Sequence, residues 1–172
     1  MARITCPDYV EDAEALRAIV LEYLGGALDG FPDGVGTAPD AHALADTTLS
    51  NLGAYLPPRG RLLMAHDAAG ALVGTSFVKR IRSDVAEIKR LYVRPAARGT
   101  GLGFRLMEAT EEAAREIGCA QILLDTGAWM TAARRLYASM GYAETGRYDE
   151  SENGPELEPH LVYYVKDLGA GR

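Results

Sequence analysis

Apolar positions recur at helical spacing in two early stretches and at strand spacing through the middle of the chain. Val10, Ala13, Leu16, Val20, Tyr23 and Leu24 trace one helical face, with Asp8 and Glu11 as a start signal and Gly25-Gly26 as the expected stop. A Gly-, Asp- and Pro-rich loop follows from Leu28 to Pro39. Asp40 can then cap a second helix whose face is Leu44, Thr48, Leu52, Tyr55 and Leu56, closed by Pro57-Pro58. Before these helices, residues 2–6 form a short strand candidate ended by Pro7.

From Arg61 the period changes to that of strands. RLLMAHD, ALVGTSFVKRI and VAEIKRLYV are joined by short turns and predict an antiparallel meander. Leu102, Leu106, Ala109, Ala113 and Ile117 predict a helix ended by Gly118, and the wholly apolar AQILLD a buried central strand. Ala133, Leu136, Tyr137 and Met140 mark a further helix ended by Gly141. YAETGRY and LVYYVKD are the last strands, with an acidic connection from Asp149 to His160. The order β-α-α-β-β-β-α-β-α-β-β predicts an α/β (α+β) fold. Its mixed, mostly antiparallel sheet of six to seven strands should be flanked by about four helices, with one right-handed crossover.

Composition narrows the function classes. At 172 residues, 48% hydrophobic and 24% charged, the chain suits one domain over residues 1–172. The N-terminus has no apolar leader and no stretch is long enough to span a membrane, so a cytoplasmic setting is expected. Two cysteines and three dispersed histidines offer no metal spacing. A net charge of −6, with basic residues gathered in one segment, argues against a nucleic-acid surface and for a small anionic ligand.

That segment is EIKRLYVRPAARGTGLGFRL, from Glu87 to Leu106. Lys89, Arg90, Arg94, Arg98 and Arg105 follow one another there with no acid between them. A strand leading through a glycine-rich loop to a helix N-terminus offers unpaired N–H groups, partial positive charge and room for a phosphate. The P-loop requires Lys-Ser or Lys-Thr after its last glycine, and Phe104-Arg105 stand there instead. The dinucleotide fingerprint finds Gly99 and Gly101 but meets Phe104 where its third glycine belongs, although Asp125 mimics the ribose-binding acid.

The third option fits. Arg98, Gly101 and Gly103 match Gln/Arg-x-x-Gly-x-Gly/Ala, with EIKRLYVRP upstream and Ala133, Leu136, Tyr137, Gly141 and Tyr142 downstream. In these motifs and in element order over residues 1 to 168, the chain resembles the Gcn5-related N-acetyltransferase (GNAT) family. The resemblance implies acetyl-CoA as cosubstrate and acetyl transfer to a primary amine, carried by a small molecule or a protein. Cofactor contacts would come from Arg98, Gly99, Thr100, Gly101, Leu102 and Gly103 at the pyrophosphate. Leu91, Tyr92 and Val93 would contact the pantetheine arm through their backbone, where an N–H could polarise the thioester carbonyl. The resemblance also admits a homodimer through terminal strands.

Two residues stand out for catalysis. An alkylammonium has a pKa near ~10.4, so its deprotonation at neutral pH calls for a base. Glu87 is the candidate, read as sharing the strand face of Leu91; the alternative is a strand carboxylate paired with Lys89 or a neighbouring arginine. Tyr137 stands where the family places its tyrosine acid for the leaving thiolate; the alternative is a core phenol with a hydrogen-bond partner. Met130 replaces an Asn common in the family. The acidic connection could rim an acceptor cleft, but a solvated hairpin is expected for most of its charges. Two rival functions remain: an acyl-CoA-binding partner protein without turnover, and a dinucleotide-dependent oxidoreductase.

Overall fold

Three largely buried strands form the first half of the sheet. They are β2 (Gly60–His66), β3 (Leu72–Arg80) and β4 (Val85–Val93), paired antiparallel as the meander predicts. The computed structural model describes residues 1–33, 35 and 38–169, so part of the loop read from Leu28 to Pro39 lies outside the described residues. β1 (Arg3–Thr5) lies on the edge against β2. β5 (Gln121–Gly127) runs parallel to β4, and β7 (Leu161–Asp167) inserts between β5 and the short β6 (Ala143–Thr145). The result is a seven-stranded sheet in the order β1-β2-β3-β4-β5-β7-β6. Ile122, Leu123 and Leu124 are buried, as a central strand requires.

Among the described residues four α-helices cover the two faces. α1 (Ala13–Leu28) and α2 (Ala41–Ser50) enclose one core with Leu16, Val20, Leu62 and Phe77. α3 (Leu102–Glu116) and α4 (Thr131–Ser139) enclose the other with Ile88, Leu106, Ile122 and Tyr137. The predicted order and sheet are both present. Asp40 caps α2 as expected, its carboxylate accepting from Ala43 N at 2.7 Å. α1 is capped by Asp12 rather than Asp8, with Ala15 N donating at 2.8 Å.

The expected stop of α1 at Gly25-Gly26 is not taken. Each glycine costs about 1 kcal/mol in a helix interior, yet α1 continues to Leu28. Buried Leu24 anchors one side of the glycine pair, and the indole of Trp129 donates to Ala27 O at 3.1 Å on the other. Tertiary contacts outweigh local propensity here. Among the described residues no helix is long and apolar enough to cross a membrane.

The feature that makes a site is a bulge in β4. Phe77 pairs with Lys89 and Thr75 with Tyr92, so Arg90 and Leu91 both stand opposite Ser76. Arg90 absorbs the extra residue with φ of 54°, in the left-handed region that arginine rarely adopts, and the Thr75 hydroxyl donates to its carbonyl at 3.2 Å. The bulge shifts the side-chain phase by one residue. Leu91 and Val93 join Ile88 on the α3/α4 face, while Tyr92 joins the opposite core. The expected shared face of Glu87 and Leu91 is therefore corrected: the two residues project to opposite sides of the sheet. β4 also pairs with β5 only from Val85 to Glu87, so the strands part beyond that point.

Candidate active site

The basic segment divides its cations between structure and loop. Lys89 is buried between two carboxylates, Arg94 makes a two-point ion pair with Glu22 at 2.7 and 2.9 Å, and Arg105 donates to Ala2 O at 2.7 Å. Arg98 remains at the loop, exposed and free of any acid among the described residues. Its Nε donates to Val93 O at 2.9 Å, and its guanidinium lies over the Tyr92 ring at 5.7 Å.

The loop itself is open. Gly99 and Gly101 have φ of 73° and 77°, and a Cβ on either would meet nothing within 4 Å. No protein acceptor takes the backbone N–H groups of Gly99, Thr100, Leu102 and Gly103 among the described residues. Gly101 caps α3 without a side-chain partner, and no acid lies in the first turn. The Thr100 hydroxyl is turned back to Ala97 O at 2.7 Å. The Leu102 side chain belongs to the core, so only its backbone faces the loop. At Gly103 a Cβ would touch Leu136 at 3.5 Å, which lets α3 approach α4.

Where β4 and β5 part lies a cavity of about 350 Å³. Its size is at the low end of small-molecule pockets, roughly 300–1,000 Å³. Leu91 lines it from the bulge, and Met130 and Tyr137 from α4 and the turn before it. Tyr137 is 6% exposed and packs against Tyr142 and Tyr164. Its hydroxyl has no protein hydrogen-bond partner among the described residues. Burial, with Tyr23 and Asp125 nearby, holds the phenol well above its ordinary pKa, so it stays protonated through the neutral range. Met130 receives a hydrogen bond from Thr126 Oγ1 to its sulfur at 3.4 Å.

Glu87 lies one layer behind the cavity. It is 0% exposed and does not line the cavity wall. Its Oε1 accepts from Tyr148 at 2.7 Å and lies 3.0 Å from Lys89, while Oε2 faces Lys79 at 3.4 Å. Lys89 also reaches Asp125 at 3.0 Å, and the Tyr148 hydroxyl lies 3.1 Å from the same Asp125 oxygen. Burial lowers the pKa of Lys89, but Asp125 and Glu87 outweigh it and the net shift is upward.

Most charges of the acidic connection are solvated as expected, with Asp149, Glu152, Glu156 and Glu158 exposed, but the segment is anchored rather than free. It folds over the end of the sheet, where Tyr148 packs with Val85, Leu123 and Tyr163. Ser151 and Asn153 donate to Asp125 at 3.1 and 3.0 Å, and Glu152 accepts from Lys79 at 2.9 Å. What the sequence did not reveal is that two of the run's acids meet cations, Glu152 with Lys79 and Arg90 and Glu150 with Arg82. Sequence reasoning also passed over Tyr23, assigned to a core stripe, and Asp125, weighed only as a ribose ligand. Both line the cavity with Lys89, Arg90, Glu152 and Trp129. The available signal for Asp125 was a charge at the end of an otherwise apolar strand.

Comparison with known proteins agrees with this geometry. A model of the acetyltransferase (GNAT) family matches residues 30–142. The chain is 32% identical over 130 residues to the IAA acetyltransferase of Azospirillum brasilense, spanning 75% of this chain and 82% of that protein. It is 29% identical over 145 residues to the uncharacterized N-acetyltransferase YjgM of Escherichia coli K12, with coverage of 83% and 80%. The fold matches a GNAT acetyltransferase from Staphylococcus aureus Mu50 with a TM-score of 0.72 at 20% identity, covering 96% and 99% of the two chains. It also matches yncA of Salmonella typhimurium, solved with its cofactor acetyl-CoA, with a TM-score of 0.68 at 19% identity over 100% and 96%. With a family model over most of its length, its motifs in family order and a splayed β4–β5 pair at its centre, the chain belongs to the GNAT family of acetyltransferases.

Proposed function

We propose that the chain transfers an acetyl group from acetyl-CoA to a primary amine, on a small molecule or a protein, by direct attack. One observation carries the reading: the open N–H loop, the edge of β4 left unpaired by β5, and the Tyr137-lined cavity follow one another along a single strand. The residues present fit an acyl-CoA. Unpartnered N–H groups at a helix N-terminus with no acid in its first turn suit a pyrophosphate. Arg98 adds its charge there, and the backbone of Leu91, Tyr92 and Val93 offers an edge for the extended arm.

The bound cosubstrate supplies an activated thioester. Tyr137 holds a proton at a hydroxyl that no protein group claims, and serves as the acid for the departing sulfur. Glu87 is the general base, acting at one remove because its carboxylate is sealed behind Lys89. The polar groups between it and the cavity are Glu152 with Lys79 on one side and Asp125 with Tyr148 on the other. The balance is simple: the amine nitrogen bonds to the acetyl carbon as the carbon–sulfur bond breaks. One ammonium proton passes toward Glu87, a second to solvent, and sulfur receives the proton of Tyr137.

Thermal unfolding with acetyl-CoA, CoA, NAD and ATP at equal concentration tests the ligand. At 100 times its dissociation constant a ligand stabilises by about 2.7 kcal/mol, a shift of several degrees for this size. A shift with acetyl-CoA and CoA alone supports the reading, and one with NAD alone overturns it. Binding without amine-dependent thiol release would make the chain a non-catalytic acyl-CoA-binding partner.

A further inference from the structure

The acceptor half of the cavity carries a pattern of charge that selects among amines. Arg90, placed by the bulge, is 16% exposed in its side chain and lines the cavity. Its contacts are long: Thr48 Oγ1 at 3.3 and 3.4 Å and Glu152 Oε2 at 3.8 Å. Its Nη1 has no partner among the described residues. Beside it, Glu152 gives only Oε1 to Lys79, at 2.9 Å, and leaves Oε2 without a hydrogen bond. Burial raises the Glu152 pKa, but Lys89, Lys79 and Arg90 outweigh it, and the carboxyl stays ionised at neutral pH. Arg90 and Glu152, loosely paired with each other at 3.8 Å, therefore stand side by side, each with hydrogen-bonding capacity to spare among the described residues. The other charges nearby, Lys89 and Asp125, are engaged with each other at 3.0 Å.

Much of the remaining wall is apolar, with Thr126, Asn153 and Glu156 also among the lining residues. Tyr23, Leu24, Ala27 and Phe31 line it from α1 and the loop beyond, Leu44 from α2, and Trp129 from the turn after β5. An occupant matching all three features has a carboxylate and an ammonium on neighbouring atoms and an apolar body. Resting on the proposed acetyl transfer, we infer that the acceptor is a free α-amino acid with an apolar side chain. Its carboxylate is held by Arg90 and its ammonium by Glu152. A peptide N-terminus would offer an amide to Arg90 in place of an anion. A simple alkylamine would leave that guanidinium without its ligand, and sites built around a polar partner discriminate strongly against analogues that lack it.

The test is a thiol-release assay with acetyl-CoA over matched acceptors: L-leucine and L-phenylalanine, their amides, and the corresponding decarboxylated amines. The expected result is a kcat/KM for the free amino acids at least about tenfold above the amides and amines. Arg90→Met should level the three classes to within about threefold, and Arg90→Lys should restore part of the preference, since lysine keeps the charge but not the fork. Equal or better turnover of the amines or amides by the unaltered protein overturns the inference. So does an absence of turnover with both amino acids while the amines or amides are turned over. Absence of thiol release with every acceptor, or loss of acetyl-CoA binding read by calorimetry, would instead overturn the acetyltransferase reading, so the two failures are distinct.

Discussion

Lys89 holds two buried carboxylates together, and its removal gives a measurable prediction. Lys89→Met keeps the apolar stem but leaves Glu87, at 0% exposure, and Asp125, at 8%, sharing the Tyr148 hydroxyl with no ammonium between them. Removing one partner of a buried ion pair costs about 3–5 kcal/mol. Lys79 still faces the far oxygen of Glu87 at 3.4 Å, which places the expected loss at the lower end. About 3 kcal/mol corresponds to a melting temperature lower by roughly 6–12 °C for a domain of this size.

The pH dependence has a definite sign. In the unaltered protein Lys89 titrates above its ordinary value, because Asp125 and Glu87 outweigh burial. Its contribution is fully present below the unfolded pKa of ~10.4 and fades only as pH rises through the higher folded value. It is therefore constant from pH 5 to pH 8. In Lys89→Met the crowded carboxyls favour uptake of one proton in the folded state, so the deficit should shrink as pH falls across that window. Adding Glu87→Gln to Lys89→Met should recover about half of the loss, since only one buried charge is then uncompensated. Circular-dichroism melts at pH 5, 6, 7 and 8 measure both variants beside the unaltered protein. A Lys89→Met deficit below about 1 kcal/mol, or one that grows toward acid, would refute the picture of a buried network whose charges depend on each other.

Three further perturbations address the proposed chemistry. Tyr137→Phe should lower kcat by about 10²-fold with acetyl-CoA affinity unchanged; an unchanged kcat removes the phenol from the reaction. Glu87→Gln should slow the reaction most at low pH, where amine deprotonation limits, and leave cosubstrate affinity nearly intact; a pH–rate profile identical to that of the unaltered protein takes Glu87 out of the mechanism. Gly101→Val puts a β-branched side chain at φ of 77° and into the open loop. It should destabilise the fold by roughly 1–3 kcal/mol through backbone strain and weaken acetyl-CoA by at least about tenfold in a calorimetric titration, as the phosphate loses its approach to the N–H groups. Full affinity would mean that the ligand lies elsewhere.

Local chemistry carried much of the fold into the sequence. Apolar runs between short turns marked β2 to β4, an acid capped α2, and α3 and α4 stop just ahead of Gly118 and Gly141 as read. The readings that failed depended on distant partners. Gly25-Gly26 ends a helix only if nothing holds the next turn, and here an indole from 102 positions along the chain accompanies it. Most acids from Asp149 onward are exposed as read, but Glu150 and Glu152 are tied to Arg82, Lys79 and Arg90, cations from other parts of the chain. Single-segment reasoning has no access to such pairings.

The bulge is a different case, because its trace was in the sequence. Apolar residues stand at Ala86 and Ile88, then at Leu91 and Val93, so the alternation slips by one across Lys89-Arg90. Counting four residues from Glu87 to Leu91 assumed an unbroken period, although a strand that keeps one face in the core through an odd step must carry an inserted residue. That single slip has three consequences. It moves Glu87 to the face opposite Leu91, where Lys89, Tyr148 and Lys79 seal it. It leaves Leu91 at the cavity wall beside an edge that β5 no longer covers. It also turns Arg90, under a backbone strain worth about 1–3 kcal/mol, toward Thr48 and Glu152 on the acceptor side. Strain of that size is maintained where surrounding contacts over-determine it. The Thr75 hydroxyl on the Arg90 carbonyl and the core packing of Leu91 and Val93 supply that constraint. The strained residue is thus the one joining the proposed acyl-CoA cleft to the proposed acceptor pocket, which is why Arg90, rather than the more exposed arginines of the same segment, is the one proposed to govern substrate choice.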